Sequence, residues 1–115
     1  MSAAPGPRIL CALEDIPDND AKGFAVEEEG RRRKILVVRR GERLWGYLNR
    51  CPHAGTPLDW VPDRFFSRTR EHLICQTHGA LFEVEDGFCI DGPCAGDSLT
   101  PVPVRLQDGM VLLDG

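Results

Sequence analysis

The sequence predicts an all-β fold, because its apolar residues occur in short runs bounded by Gly, Pro and Asp, without a sustained helical period. Asp-Gly pairs at 86–87 and 108–109 stand between apolar runs and are strong hairpin signals. Residues 62–70 have room for one or two helical turns. The predicted strands are 8–12, 23–28, 34–39, 44–48, 73–74, 81–83, 102–105 and 110–113.

The first three strands are each supported by a local pattern. Cys11 in the first strand is expected to be a small buried residue. Residues 27–29 are all Glu and face Arg31, Arg32, Arg33 and Lys34 across a Gly30 turn, so opposite charges meet across a hairpin. We interpret this basic run as a solvated turn, with a docking patch as the alternative. Residues 35–38 form a continuous aliphatic run, which is typical of a core strand.

The later strands follow from turn signals and alternation. Residues 40–42 form a turn that leads into the fourth strand. In that strand Trp45 and Tyr47 alternate onto one face, which is expected to lie in the core. The Asp-Gly pair at 108–109 joins the last two strands as a hairpin.

Length and charge restrict the function classes. With 115 residues the chain is expected to form a single domain, residues 1–115. The net charge of −4 and the pI of about 5.3 disfavour nucleic acid and anionic membranes as partners. Residues 1–7 lack the apolar stretch of a signal peptide, and no run is long enough to span a bilayer. The expectation is therefore a cytoplasmic protein without a membrane partner.

Two short segments carry a metal-binding pattern, Cys51-Pro52-His53 and Cys75-Gln76-Thr77-His78. Structural zinc sites usually take two ligands of one kind from each segment, or four thiolates. Here each segment supplies one Cys and one His. This set suits a [2Fe-2S] cluster in which two thiolates hold one iron and two imidazoles hold the other. A zinc-stabilised interaction module remains the alternative.

Residues around the four candidate ligands fit a buried cluster. Gly55 and Gly79 follow the two His residues, where a tight loop is needed to direct backbone N–H groups at the sulfurs. Leu58 and Phe82 are large apolar residues able to exclude water. A Gly-Pro turn containing Pro93 is expected to close a third side.

The motifs C-x-H-x-G-x-x-L and C-x-x-H-G-x-x-F, followed by a proline loop, resemble the Rieske iron–sulfur family over residues 8–114. The resemblance implies a Rieske fold with an antiparallel β base domain formed by residues 1–49 and about 99–115. It also implies a cluster-binding subdomain, about 50–96, with the ligands Cys51, His53, Cys75 and His78 at the tips of two loops.

The sequence departs from that pattern in its spacing. Twenty-one residues separate His53 from Cys75, more than small Rieske ferredoxins are expected to have. The extra length is assigned to an insertion at 59–70. Trp60 within it either caps the insertion or contacts an electron-transfer partner.

Three cysteines remain outside the ligand set. Cys89 and Cys94 are close enough in sequence for a disulfide, but a reducing compartment disfavours one. A role as extra ligands is also disfavoured, because the proposed cluster is already complete.

The ligand set is suited to one-electron transfer. Two ferric ions, two sulfides, two thiolates and two neutral imidazoles have no formal net charge, so reduction creates a charge instead of enlarging one. The potential is therefore higher than that of an all-Cys cluster. The sequence contains no catalytic triad, phosphate loop or flavin or nicotinamide fingerprint, and His72 alone remains for the mononuclear iron of an oxygenase domain.

The resemblance implies a Rieske-type ferredoxin without substrate turnover of its own. It would take electrons from a reductase and pass them to an oxygenase or similar enzyme. An alternative is a small non-catalytic Rieske subunit of a larger reductase, such as nitrite reductase.

The resemblance also has an implication for the reduction potential of the cluster. High-potential Rieske proteins carry a disulfide between the loops and two hydroxyls that donate hydrogen bonds to cluster sulfurs. The corresponding positions here are Thr56 and Thr77, and Ala80 and Phe82. The resemblance therefore implies a potential near the low end of the family range.

Overall fold

Ten β-strands in three antiparallel sheets form most of the computed structural model, which describes residues 8–28, 30–52, 55, 57–59, 63–75 and 79–114. The strands are β1 Arg8–Ala12, β2 Asp20–Glu28, β3 Arg31–Arg40, β4 Arg43–Leu48, β5 His72–Ile74, β6 Leu81–Glu83, β7 Cys89–Asp91, β8 Pro101–Val102, β9 Val104–Gln107 and β10 Met110–Leu113. A 3-10 turn at Leu13–Asp15 is the only helical element among these residues. The all-β prediction is confirmed.

The sheets differ in where their strands lie in the chain. One sheet has the order β1-β10-β9 and a second has the order β2-β3-β4-β8. The third, β5-β6-β7, is formed entirely by chain that runs between β4 and β8. The assignment of residues 1–115 to one domain, and of about 50–96 to a subdomain, stays a prediction.

Three details differ from the sequence prediction. The predicted strand 102–105 is two strands, because Pro103 has no N–H to continue a ladder; β8 pairs with β4, and β9 pairs with β10. The short strand β7 was not predicted. Over residues 63–70 the chain forms a turn, in which the Arg70 N–H donates to the Ser67 carbonyl at 2.9 Å, and no helix.

Strand β3 lies at the centre of the core. Its residues 35–38 are all buried, as the aliphatic run predicts. Leu36 and Val38 pack into the cluster of side chains that includes Cys51 and Cys75, whereas Val37 packs against Ile16 and Val111. Both faces of this strand are therefore covered, which explains why its sequence does not alternate between apolar and polar residues.

The charged end of the β2–β3 hairpin also forms as predicted, with Glu27 opposite Arg32 and Glu28 opposite Arg31. Of the predicted core aromatics, Tyr47 is buried, whereas Trp45 is half-buried and stacks on the Arg43 guanidinium at 4.8 Å. Cys11 is also only half-buried. Within the described ranges, no helix is long and apolar enough to cross a membrane.

Tyr47 connects the second sheet to the turn that follows β6. It is 2% exposed, and its hydroxyl donates a hydrogen bond to the Val84 carbonyl at 2.5 Å. Burial, together with the nearby charges of Asp86 and Glu85, raises the pKa of Tyr47 to about 12. The protonated phenol therefore stabilises the fold at all pH values below its ordinary pKa, about 10.

This stabilisation is expected to be lost as the pH rises from about 10 to about 12, because the folded-state pKa is the higher one. Tyr47 is the only tyrosine, so tyrosinate absorbance after a rapid pH jump reports on it alone. We expect a midpoint near 12 in the folded protein and near 10 in urea. A folded-state midpoint near 10 would contradict the burial of this hydroxyl.

Candidate metal centre

Two loops with the same backbone turn carry the predicted thiolate ligands. The Gly55 N–H donates to the Cys51 carbonyl at 2.7 Å, and the Gly79 N–H donates to the Cys75 carbonyl, also at 2.7 Å. Gly55 has a φ of 72° and Gly79 a φ of 73°, which is the left-handed region that glycine enters without strain. The tight loops that the two motifs predict are therefore both present.

The thiols at the start of these loops lie in one apolar environment. Cys51 and Cys75 are each 0% exposed, neither is in a disulfide, and both belong to the same cluster of buried side chains. That cluster also contains Leu58 and Phe82, the residues predicted to exclude water, together with Ala80. Buried thiols with apolar walls fit an iron–sulfur cluster, which needs thiolate ligands shielded from solvent.

The imidazole half of the predicted ligand set, His53 and His78, lies outside the described residues. The same is true of Thr56, Thr77 and Trp60. Among the residues that are described, no three His, Cys, Asp or Glu side chains are arranged to hold a metal ion. The complete ligand set therefore stays a prediction.

The proline loop packs against the second of these loops. A Cβ on Gly92 would lie 2.7 Å from the Ala80 Cα, which is closer than atoms can approach, and Gly92 has a φ of 99°. Only glycine fits this position without a shift of the backbone. Pro93, next to it, is exposed. The loop thus covers Ala80 with its backbone and presents the proline ring to solvent.

Cys89 and Cys94 lie beside the candidate ligands. Both are buried, their sulfur atoms are 3.1 Å apart, and both are free thiols. A disulfide has an S–S distance near 2.05 Å. Burial raises the pKa of Cys94 to about 12, with further contributions from its hydrogen bond to Cys89 and from the neighbouring Cys51. The contact between Cys94 and Cys51 was not predicted from the sequence.

Asn49 is a positioning residue that sequence reasoning missed. It is 7% exposed; its Oδ1 accepts from the Leu58 N–H at 2.8 Å and its Nδ2 donates to the Asp59 carboxylate at 2.8 Å. Its own N–H donates to the Lys34 carbonyl of β3 at 2.9 Å. Asn49 therefore joins both ends of the first ligand loop to the second sheet.

The predicted insertion continues this connection. The Asp63 N–H donates to the Asp59 carboxylate at 3.1 Å, and the Asp63 carboxylate accepts from the Gly23 N–H of β2 at 2.8 Å. Phe65 is fully buried, with its ring 3.3 Å from the point where a Cβ on Gly23 would stand. The described part of the insertion thus attaches the first ligand loop to the edge of the second sheet.

Replacement of Asn49 by alanine is expected to lower the free energy of unfolding by about 2–3 kcal/mol, because it removes two hydrogen bonds and leaves the buried Leu58 N–H without an acceptor. Urea titration of the cluster-loaded protein measures this. The control is Gln107→Ala, which removes an exposed amide that accepts from Arg105 and should cost less than about 0.5 kcal/mol. Equal effects of the two substitutions would contradict the role assigned to Asn49.

Comparison with known proteins agrees with this geometry. The model of the family described as Rieske [2Fe-2S] domain matches residues 7–105. None of the curated proteins matches the chain.

Solved structures give the same fold. The ferredoxin of carbazole 1,9a-dioxygenase from Nocardioides aromaticivorans IC177 superposes with a TM-score of 0.72 at 20% identity, covering 96% of this chain and 98% of that one. A complex of reduced oxygenase and oxidised ferredoxin of carbazole 1,9a-dioxygenase matches with a TM-score of 0.73 at 22% identity, covering 95% and 93%.

A fluorene-bound variant oxygenase and ferredoxin complex matches with a TM-score of 0.77 at 22% identity; the match covers 95% of this chain but only 28% of that one. At such identities these likenesses establish the fold.

Proposed function

Because the chain belongs to the Rieske [2Fe-2S] domain family, we propose that it is a one-electron carrier of the Rieske ferredoxin type. Members of this family bind an iron–sulfur cluster, and we propose one [2Fe-2S] cluster per chain. The observation that carries the proposal is the pair of fully buried thiols, Cys51 and Cys75, neither in a disulfide, at the start of two equivalent turns.

Different side chains would hold the cluster and shield it from water. When bound, the cluster takes up and releases one electron. Cys51 and Cys75 would hold one iron, and His53 and His78 the other, each with its outer ring nitrogen free to provide a route for the electron. Leu58, Ala80 and Phe82 would exclude water, and the proline loop would cover the third side.

The proposed partners follow from the complexes in which similar proteins have been solved. Matching structures are of ferredoxin and oxygenase in carbazole 1,9a-dioxygenase. We propose a reductase as the electron donor and an oxygenase or similar enzyme as the acceptor, with no substrate turnover by this chain alone. A cytoplasmic location stays a prediction.

Electron transfer through the purified protein tests this function. With an NADH-dependent flavin reductase, the cluster-loaded protein is expected to stimulate reduction of cytochrome c in proportion to its concentration. The Cys75→Ala variant, which should lack the cluster, is the matched control. If the reductase is shown to reduce the cluster, but cytochrome c is reduced no faster with the loaded protein than with that variant, the carrier function is refuted.

A further inference from the structure

We propose that a basic groove beside the first ligand loop docks a carboxylate-rich face of the electron-transfer partner; this rests on the carrier function proposed above. The groove has a volume of about 420 Å³ and is bordered by Arg32, Lys34, Arg50, Gly55 and Pro57, with Arg33, Leu48 and Asn49 completing the described lining. Of the described residues that line it, none is Asp or Glu. It is thus a positively charged surface on a chain whose net charge is −4.

The geometry of the second sheet places Arg32, Lys34 and Arg50 close together. Arg32 and Lys34 are two residues apart on β3 and project from the same face. The ladder between β3 and β4 pairs Ile35 with Leu48 and continues as the Asn49 N–H donates to the Lys34 carbonyl at 2.9 Å. Arg50 therefore follows directly beside this end of β3.

The three charges are available to a partner. Arg32, Lys34 and Arg50 are all exposed, and none of them forms an ion pair with a carboxylate of the described residues. Glu27 is the ladder partner of Arg32 in the hairpin, but the two side chains form no ion pair. Three cations that form no ion pair among the described residues attract clustered carboxylates from solution.

The groove is next to the proposed cluster. Arg50 immediately precedes Cys51, and its guanidinium nitrogens lie 3.4 Å from the point where a Cβ on Gly55 would stand. Gly55 and Pro57 are themselves exposed. A protein seated in the groove would therefore contact the loop that carries Cys51.

Charge also selects the orientation of the encounter. An acidic partner is repelled by a chain of net charge −4 and attracted only where the cations are concentrated. Complementary charge of this kind acts mainly on the association rate and on the orientation of the complex. The groove thus favours encounters that bring the partner to the first ligand loop.

Stopped-flow oxidation of the reduced, cluster-loaded protein tests the docking face with two electron acceptors. One is plastocyanin, a blue-copper protein with an acidic patch, and the other is cytochrome c, which is basic. With plastocyanin, the second-order rate constant should fall as ionic strength rises from about 20 to 300 mM. Arg32→Glu together with Lys34→Glu should lower the rate constant at low salt at least about tenfold and remove the fall with salt.

Arg43→Glu is the matched control. Arg43 begins β4 and Arg50 follows the end of that strand, which spans about 17 Å at roughly 3.3 Å per residue, so the same kind of charge change there should alter the rate by less than about twofold. With cytochrome c, the double variant should react at least as fast as the wild type. Cluster absorbance confirms that each variant is folded and loaded.

The outcomes separate this inference from the proposed function. If plastocyanin oxidises the double variant and the wild type at equal rates, or if Arg43→Glu is equally slow, the groove is not the docking face. If about 10 mM phosphate at constant ionic strength abolishes the difference, the groove binds a small anion instead, and the proposal is overturned. If neither acceptor oxidises the wild type, the carrier function itself fails.

Discussion

Replacing Cys51 or Cys75 with alanine is expected to abolish assembly of the cluster. The wild type, purified anaerobically, should be red-brown with about two irons and two acid-labile sulfides per chain, and each variant should be colourless. Each thiol is fully buried, so its removal leaves one iron with a single thiolate and leaves an unfilled space in the apolar cluster. Because the bound metal stabilises the folded state, the variants should also unfold at lower temperature.

Cys94 provides the critical control. Its thiol lies beside Cys51, so Cys51→Ala is best compared with the double variant that also replaces Cys94. If the single variant keeps a cluster and the double variant does not, Cys94 acts as a substitute ligand.

Cys11→Ala, Cys89→Ala and Cys94→Ala alone should retain the visible spectrum. Loss of the cluster in any of these three would contradict the ligand assignment. Stoichiometric zinc without labile sulfide in the wild type would support the zinc alternative.

The reduction potential is expected to lie near the low end of the Rieske range, roughly −150 mV. Ala80 and Phe82 are fully buried in the same cluster of side chains as the two thiols, and neither has a hydroxyl. Hydrogen bonds to sulfur stabilise the reduced, more negative state, so their absence lowers the potential. A redox titration followed by circular dichroism measures it, and a value above about +100 mV would contradict this account.

Ala80→Ser and Phe82→Tyr should each raise the potential by about 40 mV, which corresponds to about 1 kcal/mol for one added hydrogen bond in a one-electron couple. Tyr47→Phe is the matched control, because it removes a hydroxyl that is bonded to the Val84 carbonyl. It should leave the potential unchanged. If neither Ala80→Ser nor Phe82→Tyr raises the reduction potential, these positions do not direct a hydroxyl at a cluster sulfur.

Much of the fold could be predicted because its signals are local. The aliphatic run at 35–38 is a core strand, and the Asp-Gly pair at 108–109 joins β9 to β10. The division at Pro103 was missed, because β8 pairs with the distant strand β4 whereas β9 pairs with β10. Strand β7 was also missed, although it pairs with β6, the strand that precedes it.

For the candidate centre, the two ligand motifs and the glycines that close their loops could be predicted from sequence alone. Those features lie within a few residues of one another, so short-range geometry fixes them. Only the tertiary structure placed Cys94 against Cys51, Gly92 against Ala80, and Asn49 between Leu58 and Asp59.

The basic groove likewise combines residues that are evident in the sequence with a contact that forms only in the folded chain. From the sequence, Arg32 and Lys34 were predicted to be part of a charged hairpin, and Arg50 was evident only as the residue before a ligand. The pairing of β3 with β4 is what brings the three together beside Gly55. Strand pairing joins residues that are far apart in sequence, and the free energy that decides it comes from burial of both strands in the shared core, which local pattern does not encode.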